Sequence, residues 1–440
     1  MTTKLLKRIK ESLSEIDLKL FWTLVLISIL PAIYKTVRIH FIGQLPDDWG
    51  FNIASQLAWI NVIQEVVHEA LILPMFYFIG KSLDSSCARR NKVKTGLILT
   101  TSVYGLFAIT IAVFIRPMLI FMAQKSILLD ASVAYIRLEL LSLVLLTSAK
   151  FLTLVLISLR KRFYLVLILV VQMILSIILD TVLVSNMTFS AQLGVNGIAI
   201  TNIGVGTIQL VILSYILFQR GGELSGSWKH LDFDWLKEWL KVGGISWLAS
   251  FVRNSVFILM ILRMVNLIEE QGTFWVTNSF IWGWLLLPIF SLGELIKRDS
   301  ASESNYNNRI LGYFVITGLI VLFWFISIPL WSSFIQNIMG IKNHQAVFNL
   351  SLLSIAFYVV FAFNNIIDSI FYGRGRTDLM LYQSLFVNII FYGIVFAFYY
   401  TGNFIPTLRS IVIIFGLGML VDSLVTFIMY YFFRKKLSLH

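Results

Sequence analysis

Two short charge clusters early in the chain carry residue types suited to ion or substrate chemistry. Lys35 and Arg38 are three residues apart, Glu65 and Glu69 four apart, and each spacing places both side chains on one helical face. His68 lies beside the glutamates, and Gln64 adds an amide. Two cations opposite two acids on neighbouring helices form a mutually neutralising network. It reads either as a structural clamp or as a proton-responsive or substrate-binding cluster, with His68 and one glutamate titrating between about pH 5 and 7. Asp368, with Asn364 and Asn365 one turn earlier, is a second polar group. Glu65, His68 and Glu69 are the only candidates for a catalytic set, and no nucleophile or metal-ligand group accompanies them, so no enzyme is expected. The single Cys87 excludes a disulfide scaffold, and the histidines at 40, 68, 230, 344 and 440 never form a close metal-binding pair. No metal and no cofactor are expected.

These charges stand out because so few others share their surroundings. Of the 440 residues 58% are hydrophobic and only 13% charged, against about 25% charged in ordinary soluble domains. Crossing a hydrocarbon core takes roughly 20 helical residues. Apolar runs give twelve candidates: 18–42, 53–80, 96–118, 132–159, 164–185, 194–218, 242–267, 273–296, 310–334, 346–372, 379–400 and 408–433. With the N-terminus inside, twenty-five lysines and arginines fall in inner connections and four (Arg116, Lys125, Lys342, Arg409) in outer ones. This follows the cytoplasmic enrichment of basic residues and places both termini in the cytoplasm. It also accounts for the net charge of +12 without nucleic acid. The expectation is an all-α, multi-pass protein of the plasma or inner membrane, a monomer whose partners are the bilayer and a small-molecule substrate.

Six cations and seven acids remain inside spans or at their margins: Lys35, Arg38, Arg137, Lys150, Arg253 and Arg263, with Glu65, Glu69, Glu139, Asp180, Glu294, Asp368 and Asp422. At mid-bilayer each costs about 2.5–3.5 kcal/mol on insertion scales, so those far from an end should face protein. Arg137, Arg263 and Glu294 lie near ends and can snorkel.

A weak repeat runs through the chain. Leu71-Ile72-Leu73-Pro74-Met75-Phe76 resembles Leu285-Leu286-Leu287-Pro288-Ile289-Phe290, the prolines being 214 apart; Pro117 and Pro329 are 212 apart, and Arg160-Lys161-Arg162 and Arg374-Gly375-Arg376 repeat the 214 offset. Six spans followed by six in the same orientation form a transporter arrangement, in which one lobe rocks against the other around a cavity. The boundaries are 1–218 for the first lobe, 219–241 for a cytoplasmic linker and 242–440 for the second. Phe233, Trp235, Leu236, Trp239 and Leu240, interleaved with Asp234, Lys237 and Glu238, predict an amphipathic linker helix with its tryptophans at headgroup level. Trp275, Trp282 and Trp284 with Phe361 and Phe363 either line an apolar cavity or pack between helices and lipid.

Several segments resemble multidrug and toxic compound extrusion (MATE) transporters. Val37 to Leu45 is similar to that family's first-helix V-D-x-x-x-V-G-x-L, and Ser176-Ile177-Ile178-Leu179-Asp180 to its fifth-helix N-x-x-L-D. Leu193 to Thr201 resembles L-G-V-x-G-A-A-x-A-T, and Tyr372 to Thr377 resembles R-G-A-G-D-T. The resemblance implies twelve helices in two six-helix lobes and an exporter of small amphipathic compounds, exchanged for inward Na⁺ or H⁺ by alternating access. It carries the first-lobe cation site onto Arg38, Ser176, Asp180 and Thr201, so that an arginine replaces an acid and a serine an amide. A fixed guanidinium makes a poor Na⁺ site. Arg253, 215 residues after Arg38, stands near the corresponding acid of the second lobe. Two readings follow. Arg38 pairs with Asp180 as a built-in counter-cation, with coupling moved to Glu65, Glu69 or Asp368 or absent. Alternatively the arginines bind an anionic or zwitterionic substrate. A lipid or lipid-linked oligosaccharide flippase of the same superfamily is the alternative function.

Overall fold

The computed structural model describes the chain apart from residues 1, 46–48, 81, 83–84, 160, 220–221, 230, 302–305, 375 and 438–440, and apart from some further side chains, that of Glu69 included. Among the described residues it is helical throughout, without strands. In chain order the helices are α1 (Thr2–Ser14), α2 (Leu18–Gly43), α3 (Trp49–Ser55), α4 (Leu57–Gly80), α5 (Ser86–Phe121), α6 (Leu129–Ser158), α7 (Arg162–Leu183), α8 (Gly194–Gln219) and α9 (Leu236–Phe257). There follow α10 (Arg263–Leu267), α11 (Gln271–Phe280), α12 (Leu287–Ala301), α13 (Tyr306–Ser333), α14 (His344–Gly373), α15 (Thr377–Leu385), α16 (Tyr392–Tyr400) and α17 (Leu408–Leu437).

Among the described residues ten helical segments are long and apolar enough to cross a bilayer; α11 and α12, bent by 52°, make an eleventh. The remaining expected span falls on α3 and the 24-residue α4, which carries Glu65, His68 and Glu69. The outward faces explain why this chain needs lipid. On α5, Leu106, Ile109 and Val113 are 68%, 64% and 64% exposed, and on α13 Phe323, Ile326 and Leu330 are 67%, 67% and 68% exposed. Their spacing of three, four and seven makes continuous apolar stripes, stable only against hydrocarbon. Wide π-helical turns interrupt the helices at Ile258–Leu262, Ile281–Leu285, Phe334–Ile338 and Phe386–Phe391, all in the C-terminal half.

Contacts divide the chain into two compact units, Tyr34–Gly272 and Met1–Ile33 with Thr273–His440. The cuts fall within α2 and within the first turn of α11. In the first unit α6 packs between α5 and α8, and α4 lies along α9. Its core is built around Met75, Phe78, Tyr104, Phe151 and Leu213. In the second unit α14 packs on α12 and α17 around Leu295, Tyr313, Ile366 and Ile370.

The linker departs from expectation. No separate interfacial helix forms over its described residues; the chain is fastened to the start of α5. Arg89 meets Glu223 at 2.8 Å, Asn91 Nδ2 donates to the Asp232 carbonyl (2.7 Å) while Asn91 Oδ1 accepts from the Asp232 N–H (2.9 Å), and Lys94 donates to the Ser227 carbonyl (2.9 Å). Trp239 is buried in the core of this unit instead of lying at headgroup level, and its indole donates to the Leu71 carbonyl (3.3 Å). The seventh span thus begins packed against α4.

In the other unit α1 docks on α13. Ser12 Oγ accepts the Gly312 N–H (2.8 Å), and a Cβ at Gly312 would come within 2.6 Å of Ile16. Asp17 caps α2 by accepting the Leu20 N–H (2.9 Å), which holds its carboxyl below the usual carboxylate range. Buried Asp299 accepts hydrogen bonds from Arg298 (2.8 Å), Arg309 (3.0 Å) and the Tyr313 hydroxyl (2.7 Å).

Candidate functional site

Arg38 lies in the C-terminal half of α2, a helix whose long apolar run leaves no aqueous alternative for a guanidinium at that depth. Asp180 lies near the end of α7. The two meet side by side, Nε to Oδ2 at 2.8 Å and Nη2 to Oδ1 at 3.3 Å, with 15% and 1% of their side chains exposed. A fork on a carboxylate is the strongest geometry the two groups have. The pair is braced from neighbouring helices: Tyr34 accepts from Gln172 on α7 (3.3 Å), whose Oε1 accepts from Gln209 on α8 (3.0 Å). Ser176 is buried one turn before Asp180. Thr201 is fully buried on α8, and its hydroxyl has no hydrogen-bond partner among the described residues.

Arg38 also feels a second acid, Glu139 on α6. Glu139 is 4% exposed; its oxygens accept from Asn202 Nδ2 (2.8 and 3.1 Å) and from Ser142 Oγ (2.8 Å), and Tyr135 stands beside it. The sequence counts Glu139 among the charges inside spans but assigns it to no site. The signal was present in its mid-span polar surroundings, Tyr135 one turn before, Ser142 one turn after, and Asn202 next to Thr201.

The expected pairing of Lys35 and Arg38 with Glu65 and Glu69 needs correction. Arg38 is engaged by Asp180, because α7 presents its carboxylate to the face of α2 that carries Arg38. The Glu69 side chain lies outside the described residues. Glu65 is exposed and His68 half-buried on α4. Gln64 Nε2 donates to the Thr147 hydroxyl on α6 (3.3 Å). Arg253 is half-buried on α9, within the unit Tyr34–Gly272 that also holds Arg38. Arg263 donates to the Phe121 carbonyl (2.9 Å), capping the end of α5.

The other unit holds a different constellation. Asn364, fully buried on α14, donates from one Nδ2 to Asp368 (3.0 Å) and to Asp422 on α17 (3.2 Å). Gln383 on α15 and Thr426 on α17 stand near Asp368. Three buried acceptors there, Asn364 Oδ1, Asp368 Oδ1 and Gln383 Oε1, have no hydrogen-bond partner among the described residues. Buried polar atoms are rarely left so. Two carboxylates sharing one donor beside spare amide oxygens suit a proton or a hard cation such as Na⁺, which takes oxygen ligands. Asp422 and Gln383 were missed as site residues, since nothing local in α15 or α17 points to α14. Asn365 turns away and donates to the Ile289 carbonyl (3.2 Å).

The aromatics divide as well. Trp282 donates to the Tyr358 hydroxyl (3.0 Å) and packs by Phe290 and Phe361, while Phe363 stacks on Phe314. Trp284, Phe280, Trp324 and Trp331 line a cavity of about 290 Å³.

No protein-family model and no curated protein matches the sequence. Solved structures do. An inward-facing conformation of a multidrug resistance MATE family transporter of the MOP superfamily superposes with TM-score 0.70 at 15% identity, covering 92% of this chain and 94% of that one. The fold is that of the MATE transporters. An outward-facing conformation of such a transporter gives 0.64 at 16% identity over 97% and 98% of the two chains. A mutant of the Vibrio cholerae MATE transporter VcmN gives 0.67 at 13% identity over 99% and 98%. The MATE fold, twelve spans in two six-helix halves, accounts for the helix order from α2 to α17. It accommodates both sites: Arg38 with Asp180 in the first half, and Asn364 with Asp368 and Asp422 in the second.

Proposed function

We propose that this protein is a secondary transporter that exports small amphipathic compounds by alternating access, driven by inward H⁺ or Na⁺, in the plasma or inner membrane with both termini cytoplasmic. The observation that carries this reading is the contrast between the two sites. In the first half the Arg38 guanidinium already occupies the position of a counter-cation on Asp180. In the second, Asp368 and Asp422 share the Asn364 amide beside three acceptor oxygens without partners among the described residues. Coupling therefore belongs to Asp368, Asp422, Asn364 and Gln383, and the Arg38–Asp180 pair is a structural tie among α2, α7 and their neighbours. Solved neighbours in inward- and outward-facing conformations support the alternating-access cycle.

The test is flux in proteoliposomes under an imposed Na⁺ or pH gradient, with ethidium as a cationic probe and carboxyfluorescein as an anionic one. Gradient-dependent flux of at least one probe is expected, falling at least tenfold in Asp368→Asn. Flux that ignores both gradients, or survives that substitution unchanged, overturns the coupling assignment. A lipid or lipid-linked oligosaccharide flippase is the second reading, favoured by Lys35 and Lys150, whose ammonium groups suit a phosphate.

A further inference from the structure

The cavity of about 290 Å³ lies where α11, α12 and α13 meet, within the unit that holds residues 273–440. Two of its lining residues, Phe323 and Leu330, are 67% and 68% exposed and belong to the apolar stripe that α13 turns to hydrocarbon. The cavity therefore opens sideways, into the bilayer. Phe323 and Leu330 stand fifteen and eight residues before the end of the span Asn308–Ile338, about 22 and 12 Å from it at 1.5 Å per residue, which is acyl-chain depth and not head-group depth. The chemistry of the walls agrees with that depth. No charged side chain lines the recess among the described residues. The polar groups of α13 there are spent on the protein: the Trp324 indole donates to the Leu285 carbonyl (3.0 Å), the Trp331 indole to the Ser327 hydroxyl (2.9 Å), and that hydroxyl to the Trp324 carbonyl (2.9 Å). A water placed there would find few of the two to four partners that hold buried water.

The recess is held open by rings that do not turn into it. Phe280 sits edge-on to Trp331, with ring centroids 5.4 Å apart, and Trp284 edge-on to Phe334 at 5.2 Å. The two indole hydrogen bonds fix Trp324 and Trp331. Both walls also carry a π-helical turn at the same place, Ile281–Leu285 on one side and Phe334–Ile338 on the other, and the first wall bends by 52° just before Pro288. Such turns interrupt regular helix packing and recur at functional sites. An unfilled void of this size is costly in a close-packed structure, and voids of about 150 Å³ with apolar walls stay dry and take up benzene-sized guests.

We infer that this recess is a binding site for one acyl chain of a membrane phospholipid, which enters sideways from the bilayer and lies among Trp284, Trp324, Trp331 and Phe334. Continuity with the bilayer selects this occupant. The mouth is part of the lipid-facing stripe, hydrocarbon is the solvent at that depth, and the walls offer dispersion contact without asking for a hydrogen bond. A charged amphipathic compound needs a partner for its head group and a sterol one for its hydroxyl, whereas the one side-chain hydroxyl of the described lining, Ser327, is spent on Trp324 and Trp331. The bound acyl chain joins α11 and α12 to α13 through lipid, so removal of phospholipid loosens this seam. Binding here is independent of ion coupling at Asp368.

The experiment places the full protein in nanodiscs of phosphatidylcholine doped with a phosphatidylcholine that carries a diazirine on one acyl chain, and maps the photolysis adducts by peptide mass spectrometry. Adducts are expected at the recess, residues 280–288 and 323–334, and on the α5 stripe of Leu106, Ile109 and Val113, which serves as an ordinary lipid contact. When the same complex is moved into detergent without free lipid before photolysis, recess labelling should persist while α5 labelling falls at least fivefold. Leu330→Trp, which plugs the mouth from an exposed position, should cut recess labelling at least fivefold and leave α5 labelling unchanged. Recess and α5 labelling that fall together on transfer to detergent, or recess labelling unaltered in a folded Leu330→Trp protein, overturns the site. So does displacement of the recess label by cholesterol, ethidium or carboxyfluorescein at concentrations that spare the α5 label, since the occupant is then not an acyl chain. The detergent-transfer arm uses the wild type alone and decides the matter even if the plugged variant misfolds.

Discussion

In residues 34–272 the buried Asp180 carboxylate is met by two nitrogens of Arg38, whereas in residues 273–440 Asp368 and Asp422 share the single amide of Asn364. Both arrangements put acids in apolar helices, and the first is neutralised by a guanidinium of the chain itself. That guanidinium is always charged and is a fixed part of the chain. On the proposed reading the second site is the one that takes up the coupling ion. On that reading the two halves of the fold separate a permanent tie from an exchangeable one.

The largest effect that tests this comparison is on stability. Arg38→Ala leaves Asp180 buried without its partner, and should lower unfolding free energy by about 3–5 kcal/mol in detergent-based denaturation. The double variant Arg38→Ala/Asp180→Ala should be more stable than Arg38→Ala alone; if it is less stable, the two side chains are not neutralising each other. Next comes cation linkage. A Na⁺ or proton taken up by the native state at a hundred times its dissociation constant stabilises by about 2.7 kcal/mol. Wild type and Ser176→Ala should show such a shift in thermal unfolding across a Na⁺ and pH series, and Asp368→Asn should lose it. A shift lost in Ser176→Ala instead would return coupling to the first half. The smallest effect concerns the second acid near Arg38. Glu139→Gln keeps an oxygen for Asn202 and should change stability by less than about 1 kcal/mol, whereas Glu139→Leu strands the Asn202 amide and should cost about 1–3 kcal/mol.

The linker shows what a local pattern leaves open. Trp235 and Trp239 alternate with charges as an interfacial helix would, and helix α9 does begin there. The pattern specifies that one face is apolar but not what covers it. Here the cover is α4, with the Leu71 carbonyl taking the Trp239 N–H. The early charge cluster behaved similarly. Helical spacing grouped Lys35 with Arg38, yet Arg38 turns to Asp180.

What the amino-acid sequence determined alone is what depends on local period and composition: helical spans, apolar stripes, and the small set of charges inside spans. It also marked the unusual arginine at position 38 through its resemblance to a MATE motif. Only the tertiary structure decided which of those charges meet. Arg38 and Asp180 are 142 residues apart, and Asn364 and Asp422 58 apart. The reason is geometric. A partner across a helix interface is selected by the rotation and offset of two packed helices, which arise from the sum of many side-chain contacts and leave no signature in the residues nearby.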